Sequence, residues 1–290
     1  MCRLVFIAGL LVLLASNSRA AHNPSVAVLD FGASPFAHQA AQNLRDYLRA
    51  TKELQIADVD LARAAAKGIG YAGSLNLSIS EARDLGAALA TDFYILGDAQ
   101  TLRRSAFSRP VYYESYCSLF VVSARTGQLL VWDRFSVESD KAAEDKLFKE
   151  LSAEKTIQRI LGSIRKTREI EIAQRTIAVA TSEPLIEEAP ESNEVAEVQG
   201  IRLPRPYRRL RPDYPESAAR AEAEGTVDVL VDVGADGEVS NVRVARWAGF
   251  GLDEITVATV RKMHFFPAMK NGTAIAMRVL LRYNFRKPPR

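Results

Sequence analysis

The run with the closest formal likeness to a chemical motif contains Gly68, Gly70 and Gly73, which match the spacing G-x-G-x-x-G. In dinucleotide-binding proteins this motif follows a strand and opens a helix, so that helix N–H groups meet a pyrophosphate. Here a helical pattern precedes the glycines, and the residues after Gly73 do not open a helix. We therefore predict a glycine-rich loop between two helices and no bound cofactor.

The remaining residues that could do chemistry are scattered along the chain. The three histidines, His22, His38 and His264, are far apart, and none has a second histidine at metal-ligand spacing. Asp232 and Asp236 stand beside a glycine as in a calcium loop, but the EF-hand spacing and its final glutamate are absent. The sequence therefore predicts no metal site, no catalytic residues and no enzyme activity.

The first residues are typical of an export signal. Arg3 precedes an apolar run over residues 4–15, and Ser18 and Ala20 supply the small residues that a signal peptidase requires. The run is shorter than the ~20 residues of a membrane-spanning helix. We expect a signal peptide over residues 1–20 and a periplasmic mature protein. The alternative is that the run is retained and anchors the chain in the inner membrane.

Length and composition fit a chain of about two domains. The sequence has 290 residues, of which 48% are hydrophobic, and a net charge of only +3. Basic residues are more frequent after Arg202, which suits either an acidic partner or a simply solvated surface. No Lys/Arg tract is interleaved with aromatic residues, so nucleic-acid binding is not expected. Cys117 is the only cysteine after the signal and cannot form an internal disulfide.

Residues 26–174 are predicted to form one mixed α/β domain of three-layer type. A strand (VAVLDF) is followed by a helix capped by Ser34, a second capped by Asp60, and a third that opens with a capping box of Ser78 and Glu81. Apolar strands alternate with these helices. Two long strands and one long charged helix complete the predicted domain.

The segment 176–212 separates this domain from the C-terminal part. It is rich in glutamate at first and in arginine and proline afterwards, and it has few aromatic residues. Such a composition argues against a packed core. We predict a flexible linker, which would let the two flanking domains fold independently.

Residues 213–290 are predicted to form a β-β-α-β unit, which makes the whole chain α+β. The valines at 227, 229, 231 and 233 alternate along one strand, and Gly234–Gly237 forms a hairpin turn. A helix follows. The last strand, residues 274–285, alternates apolar positions with mixed ones, so one face of the sheet is buried.

We predict that this last strand is a sheet edge that receives a partner segment by main-chain hydrogen bonding. Its candidate partner-binding residues are those that face away from the core: Ala276, Arg278, Leu280, Arg282 and Asn284. The alternative is that the arginines only discourage aggregation at an exposed edge.

The C-terminal residues resemble the C-terminal domain of the TonB family. The resemblance lies in an ordered set of short motifs: Arg211-Pro212-Asp213-Tyr214-Pro215, Ala218-Ala219, Glu224-Gly225-Thr226-Val227, Asp236-Gly237, Leu252-Asp253, Phe266-Pro267-Ala268, Asn271-Gly272 and the strand that closes at Phe285. The first domain is similar to periplasmic domains of curli-secretion and penicillin-binding-protein activator lipoproteins, through VAVLDF and residues 77–86 and 92–97. It departs from them in lacking a lipidation cysteine.

The TonB resemblance implies energy transduction to outer-membrane transporters, with a transporter peptide segment or another envelope protein as partner. It also implies contact with an inner-membrane motor complex and a dimer formed through the C-terminal domain. TonB proteins keep an N-terminal membrane helix and a long proline-rich spacer, whereas this chain has a cleavable-looking signal and a short glutamate-rich segment. The alternative function is therefore an envelope scaffold or regulator that binds partners without transmitting force.

Overall fold

The computed structural model describes residues 23–106, 109–140, 143–177 and 186–287. The signal peptide predicted over residues 1–20 lies outside these ranges. None of the helices in the described ranges combines the length and the apolar character that crossing a membrane requires.

The N-terminal domain is a five-stranded sheet covered by helices. Its helices are α1 (Pro35–Ala50), α2 (Val59–Gly68), α3 (Ile79–Leu89), α4 (Glu144–Ser152) and α5 (Glu154–Ile177), and its strands are β1 (Ser25–Val28), β2 (Gln55–Ile56), β3 (Phe93–Ala106), β4 (Arg109–Ser123) and β5 (Leu129–Ser139). The strand order is β2-β1-β3-β4-β5. The pairs β2-β1 and β1-β3 are parallel, whereas β3-β4 and β4-β5 are antiparallel.

Alternation along the strands produces two cores, one on each face of this sheet. Phe93 and Ile95 face the core covered by α1, α4 and α5. Tyr94 and Leu96 face the opposite core, which is covered by α2 and α3. The predicted three-layer arrangement is therefore present, and the α+β class is confirmed.

The predicted helix starts are mostly as expected, with two differences. Ser34 caps α1, and Ser78 and Glu81 form the capping box of α3. The cap of α2 is Asp58 rather than the predicted Asp60, because Asp58 has the extended backbone that directs its carboxylate at the first helix amides. The predicted long charged helix is divided at Ala153, whose backbone is extended between α4 and α5.

The C-terminal part has short strands and short helices around one longer sheet. Its elements are β6 (Glu187–Glu188), α6 (Asn193–Val198), β7 (Ile201–Arg202), β8 (Arg205–Pro206), α7 (Glu216–Ala221), β9 (Gly225–Val233), β10 (Val239–Arg246), α8 (Leu252–Val260), β11 (Phe265–Phe266), β12 (Ala268–Lys270), β13 (Thr273–Ile275) and β14 (Met277–Phe285). The larger sheet has the order β10-β9-β14-β6, and β9, β10, α8 and β14 form the predicted β-β-α-β unit.

The four alternating valines of β9 are buried, and the hairpin turn closes with Gly237 at φ +85°. The final strand is shorter than predicted. The chain leaves the extended ladder at Ala276, so residues 273–275 pair with β12 while β14 begins at Met277 and pairs with β9.

The segment predicted as a flexible linker is structured in its described part. β6 pairs with β14, β7 with β12, and β8 with β11. Ala196 and Ile201 are buried against Ala268 and Met277 in a small separate core. Composition alone misses this packing because the few apolar residues stand singly among glutamates and arginines. The domain boundaries at 174 and 213 stay a prediction.

A loop after β10 joins the two parts of the chain. Trp247 is buried among the residues that α2 and α3 cover, its ring stacks on Phe120, and its Nε1 donates to the Gly127 carbonyl at 3.0 Å. Phe250 packs edge-on against Phe120 and also contacts Trp132. The C-terminal part thus completes one face of the N-terminal sheet.

Asn76 binds the C-terminal part through its side-chain amide. Its Nδ2 donates to the carbonyls of Thr226, at 2.8 Å, and Trp247, at 2.6 Å, and its Oδ1 accepts from the Thr226 amide at 3.0 Å. Arg246 lies beside it and forms an ion pair with Glu81 at 3.0 Å. One amide side chain therefore satisfies three main-chain groups that would otherwise be unpaired at this junction.

Candidate functional site

The outward face of the C-terminal sheet carries a ladder of ion pairs between β9 and β14. Arg278 stands opposite Asp232 and Arg282 opposite Asp228 in the strand register. Each guanidinium makes two hydrogen bonds to its carboxylate, with Nη2–Oδ2 distances of 3.0 and 2.9 Å. Hydrogen bonding from Arg278 lowers the pKa of Asp232 below its ordinary value. The two arginines therefore compensate buried carboxylates of their own sheet.

Two contacts show which main-chain groups of β14 point to its outer edge, the one that does not pair with β9. The Ala189 amide donates to the Arg278 carbonyl at 2.8 Å, and Arg209 Nη2 donates to the Arg282 carbonyl at 2.8 Å. In an antiparallel strand, the N–H and C=O of one residue point to the same side, and this side alternates from one residue to the next. The main-chain groups of residues 278, 280, 282 and 284 therefore all point away from β9. The outer edge is thus formed by the even-numbered residues of β14.

The predicted partner-binding residues are brought onto this edge, with one exception. Leu280 lies between the two ion pairs and its exposed fraction is 52%. Asn284 is exposed, and its Oδ1 accepts from the Thr226 hydroxyl at 2.9 Å. Ala276 lies in the break before β14 and is outside the strand. Whether the edge residues bind a partner stays a prediction.

Sequence reasoning missed most of what surrounds the edge. The sequence analysis did not consider Asp228, and it considered Asp232 only as a calcium ligand. The register of β9 and β14 places both aspartates opposite arginines. Glu187 and Glu188 pair with the first residues of β14, but a strand of two residues is too short to show a recognisable sequence pattern. The contact of Arg209 with β14 depends on the fold of the whole segment.

The glycines and the cysteine that the sequence analysis considered for chemistry have structural roles in the fold. Gly68 ends α2, and Gly70 and Gly73 adopt positive φ in the loop before α3. Burial raises the pKa of the Cys117 thiol far above its usual range, so little thiolate forms. In the parts of the chain that the structure describes, no group of three or more His, Cys, Asp or Glu side chains is placed to hold a metal ion.

A cleft of about 590 Å³ lies between β5 of the first domain and β10 and α8 of the second. Trp132 and Val257 contribute to its apolar lining. Asp253 is the most buried acid there, and burial raises its pKa to about 7. Its two oxygens accept from the amides of Ala248 and Gly249 at 2.8 Å, so the carboxylate fixes the loop that carries Trp247.

Comparison with known proteins finds relatives of the C-terminal domain. Residues 211–286 match the family model described as the Gram-negative bacterial TonB protein C-terminal. Protein TonB of Xanthomonas campestris pv. campestris (strain B100) is 39% identical over 75 residues, which are 26% of this chain and 34% of that protein. Protein TonB of Klebsiella aerogenes is 32% identical over 81 residues, or 28% and 33%. The chain spans about a third of these relatives, and the predicted TonB resemblance is confirmed for this domain.

Solved structures that match this chain weakly include two from bacteria. The LpoB C-terminal domain from Salmonella enterica is 13% identical, with a TM-score of 0.30, and the match covers 40% of this chain and 84% of that one. Lipoprotein GNA1162 from Neisseria meningitidis is 11% identical, with a TM-score of 0.31, and the match covers 52% and 99%.

Proposed function

We propose that this chain is a non-enzymatic protein of the bacterial envelope that acts in energy transduction to outer-membrane transporters. The observation that carries the proposal is the match of residues 211–286 to the TonB C-terminal domain, since this range contains the whole β9–β14 unit. The working surface is the outer edge of β14. There an extended peptide of the partner adds as a further strand, through hydrogen bonds to the main chain of the even-numbered residues.

The structure of β14 supports this surface in two ways. Its inner edge pairs with β9 along the full length of the strand, so the strand is held in register whatever happens at its outer edge. Leu280 is exposed between two arginines whose charges are already balanced by aspartates. The edge therefore offers main-chain groups and an apolar side chain, with little net charge to select the partner.

The proposed location is the periplasm, after removal of the signal peptide over residues 1–20. N-terminal sequencing of the protein from its native host is expected to find a chain that begins near Ala21. A retained Met1 in the membrane fraction would instead indicate an inner-membrane anchor, and it would favour contact with a motor complex in that membrane.

The test of the partner surface is photo-crosslinking in cells. A photoreactive side chain at position 280 is expected to form an adduct with an outer-membrane transporter. The same side chain at Leu61, which is 73% exposed on α2, is the matched control and should form none. Adducts of equal yield at both positions, or adducts with soluble envelope proteins alone, would contradict the transport role and favour a scaffold.

A pair of substitutions at Leu280 separates main-chain from side-chain binding. Leu280→Pro removes an N–H that faces away from β9, so we expect capture of the transporter to be lost while the fold survives. Leu280→Ala keeps the N–H and should retain capture. Pull-down from solubilised envelopes and thermal melting are measured on the same samples. Full capture by the proline variant with an unchanged melt would show that β14 is not the binding edge.

A further inference from the structure

The outer edge of β14 is already partly occupied by the chain itself. We call residues 187–209 the strap. At its start, Glu187 and Glu188 pair in parallel with Met277 and Arg278 of β14, and the Ala189 amide donates to the Arg278 carbonyl at 2.8 Å. The first residues of the strap thus take the position that an added partner strand would take.

The end of the strap returns to the same edge. Arg209 Nη2 donates to the Arg282 carbonyl at 2.8 Å, and its guanidinium lies over the ring of Tyr283, 5.4 Å from the centroid. Arg278 and Arg282 are two of the residues whose main chain faces outward. A partner strand that ran along the edge would therefore meet strap contacts on either side of Leu280.

The middle of the strap is held more firmly than its two contacts with β14. Ile201 is buried in the small core with Met277, and β7 and β8 pair with β12 and β11. By contrast, β6 adds a two-residue ladder and two ion pairs in which both glutamates are exposed, Glu187 with Lys270 at 2.6 Å and Glu188 with Arg278 at 3.9 Å. Exposed pairs of this kind contribute little to stability. β6 can therefore leave the edge while the middle of the strap stays in place.

We propose that the strap is an intramolecular competitor of the partner: β6 and Arg209 hold the edge of β14 closed, and a partner strand must displace them. This inference rests on the proposed function of the edge. It predicts that weakening either contact raises partner binding without any change to β14 itself.

Two release variants and two controls test the inference in the full chain. Ala189→Pro removes the amide that bonds to Arg278, and Ala189→Ser keeps it. Arg209→Ala removes the guanidinium that bonds to Arg282, and Arg208→Ala alters its exposed neighbour. Because the two release sites lie at opposite ends of the strap, a folding defect in one variant leaves the other informative.

The first readout needs no partner. In the parallel register of β6 and β14 the Arg278 amide points at the Glu187 carbonyl, so it loses its protection when β6 leaves the edge. Hydrogen exchange of the purified protein is therefore expected to be about fivefold faster at the Arg278 amide in Ala189→Pro than in wild type, which corresponds to the loss of about one hydrogen bond. Ala189→Ser should exchange like wild type. Unchanged exchange in the proline variant would show that β6 does not protect the edge, and it would overturn the inference.

The second readout is the photoreactive side chain at position 280, used in cells. Both release variants are expected to raise the adduct yield by about fivefold where the partner is limiting, and both controls should match wild type. If the release variants equal wild type while Leu280→Pro abolishes capture by the pull-down, the edge binds its partner but the strap does not compete. If Leu280→Pro also leaves capture intact, the proposed binding edge itself is wrong, and the inference fails with it.

Discussion

Replacing Trp247 with alanine tests how the two parts of the chain are joined. The ring is 1% exposed and lies in the second core of the N-terminal sheet. Truncating a buried Trp to Ala typically destabilises a protein by about 3–5 kcal/mol. The Gly127 carbonyl also loses its donor, at a cost of about 1 kcal/mol. Together these two losses should lower the free energy of unfolding by about 5 kcal/mol.

The assay is thermal unfolding of the purified protein, monitored by far-UV circular dichroism. For a protein of this size, 1 kcal/mol corresponds to about 2–4 °C, so Trp247→Ala should lower the melting temperature by roughly 15 °C. Binding of a hydrophobic dye should rise, because Phe120 and Trp132 lose their cover. The matched control is Leu61→Ala at a position that is 73% exposed, where the change should stay within about 0.5 kcal/mol.

A melting temperature of Trp247→Ala equal to that of the control would refute the reasoning. It would mean that the loop after β10 does not contribute to the folded state, and it would support independent folding of the two domains as predicted from the segment between them. A single lowered transition would instead show that the domains unfold as one unit. Two transitions, of which only one is lowered, would locate the contribution of the ring in one domain.

Three further substitutions test other contacts. Asn76→Ala leaves three main-chain groups at the junction without their partner and should destabilise the chain by about 1–3 kcal/mol in urea unfolding. The pKa of Asp232 is lowered, so its stabilising contribution is present above about pH 4 and is lost as the pH falls further. In Asp232→Asn, the free energy of unfolding should therefore decrease less steeply with falling pH below about pH 4. An equally steep decrease in the variant and in wild type would contradict the role of Arg278. Gly237→Ala should lower the melting temperature, because φ is +85° and a Cβ would overlap the Phe265 carbonyl; an unchanged melt would refute this.

The regular parts of this fold are predictable from local patterns. Alternation identifies β9 and the two faces of β3, and the capping box at Ser78 marks the start of α3, because each signal depends only on neighbours in sequence. The positions that differ depend on geometry instead. Asp58 and Asp60 are both good caps, and only the backbone of the folded chain decides between them. The break at Ala276 interrupts an alternation that continues on both sides of it.

The sequence pattern predicts that the candidate edge is a strand, but it does not predict which residues surround that strand. Arg278 and Arg282 were predicted as candidate partner-binding residues, but the aspartates that they pair with lie on another strand about 50 positions earlier in the sequence. The strap reaches β14 through the two-residue strand β6 and the single side chain of Arg209, and neither produces a periodic pattern. The burial of Trp247 depends on a domain that precedes it by more than 100 residues. Each missed feature is a contact between segments distant in sequence.

The order of the C-terminal sheet separates the loop that contacts the N-terminal domain from the edge proposed to bind a partner strand. In β10-β9-β14-β6, the loop that carries Trp247 follows β10 at one border, whereas the proposed partner edge is on the far side of β14. A strand added there extends the sheet away from β10, so it displaces β6 and leaves the ring in its core. Because β9 contacts Asn76 and pairs with β14 along its whole length, a load applied at the edge would pass through one continuous ladder into the N-terminal domain.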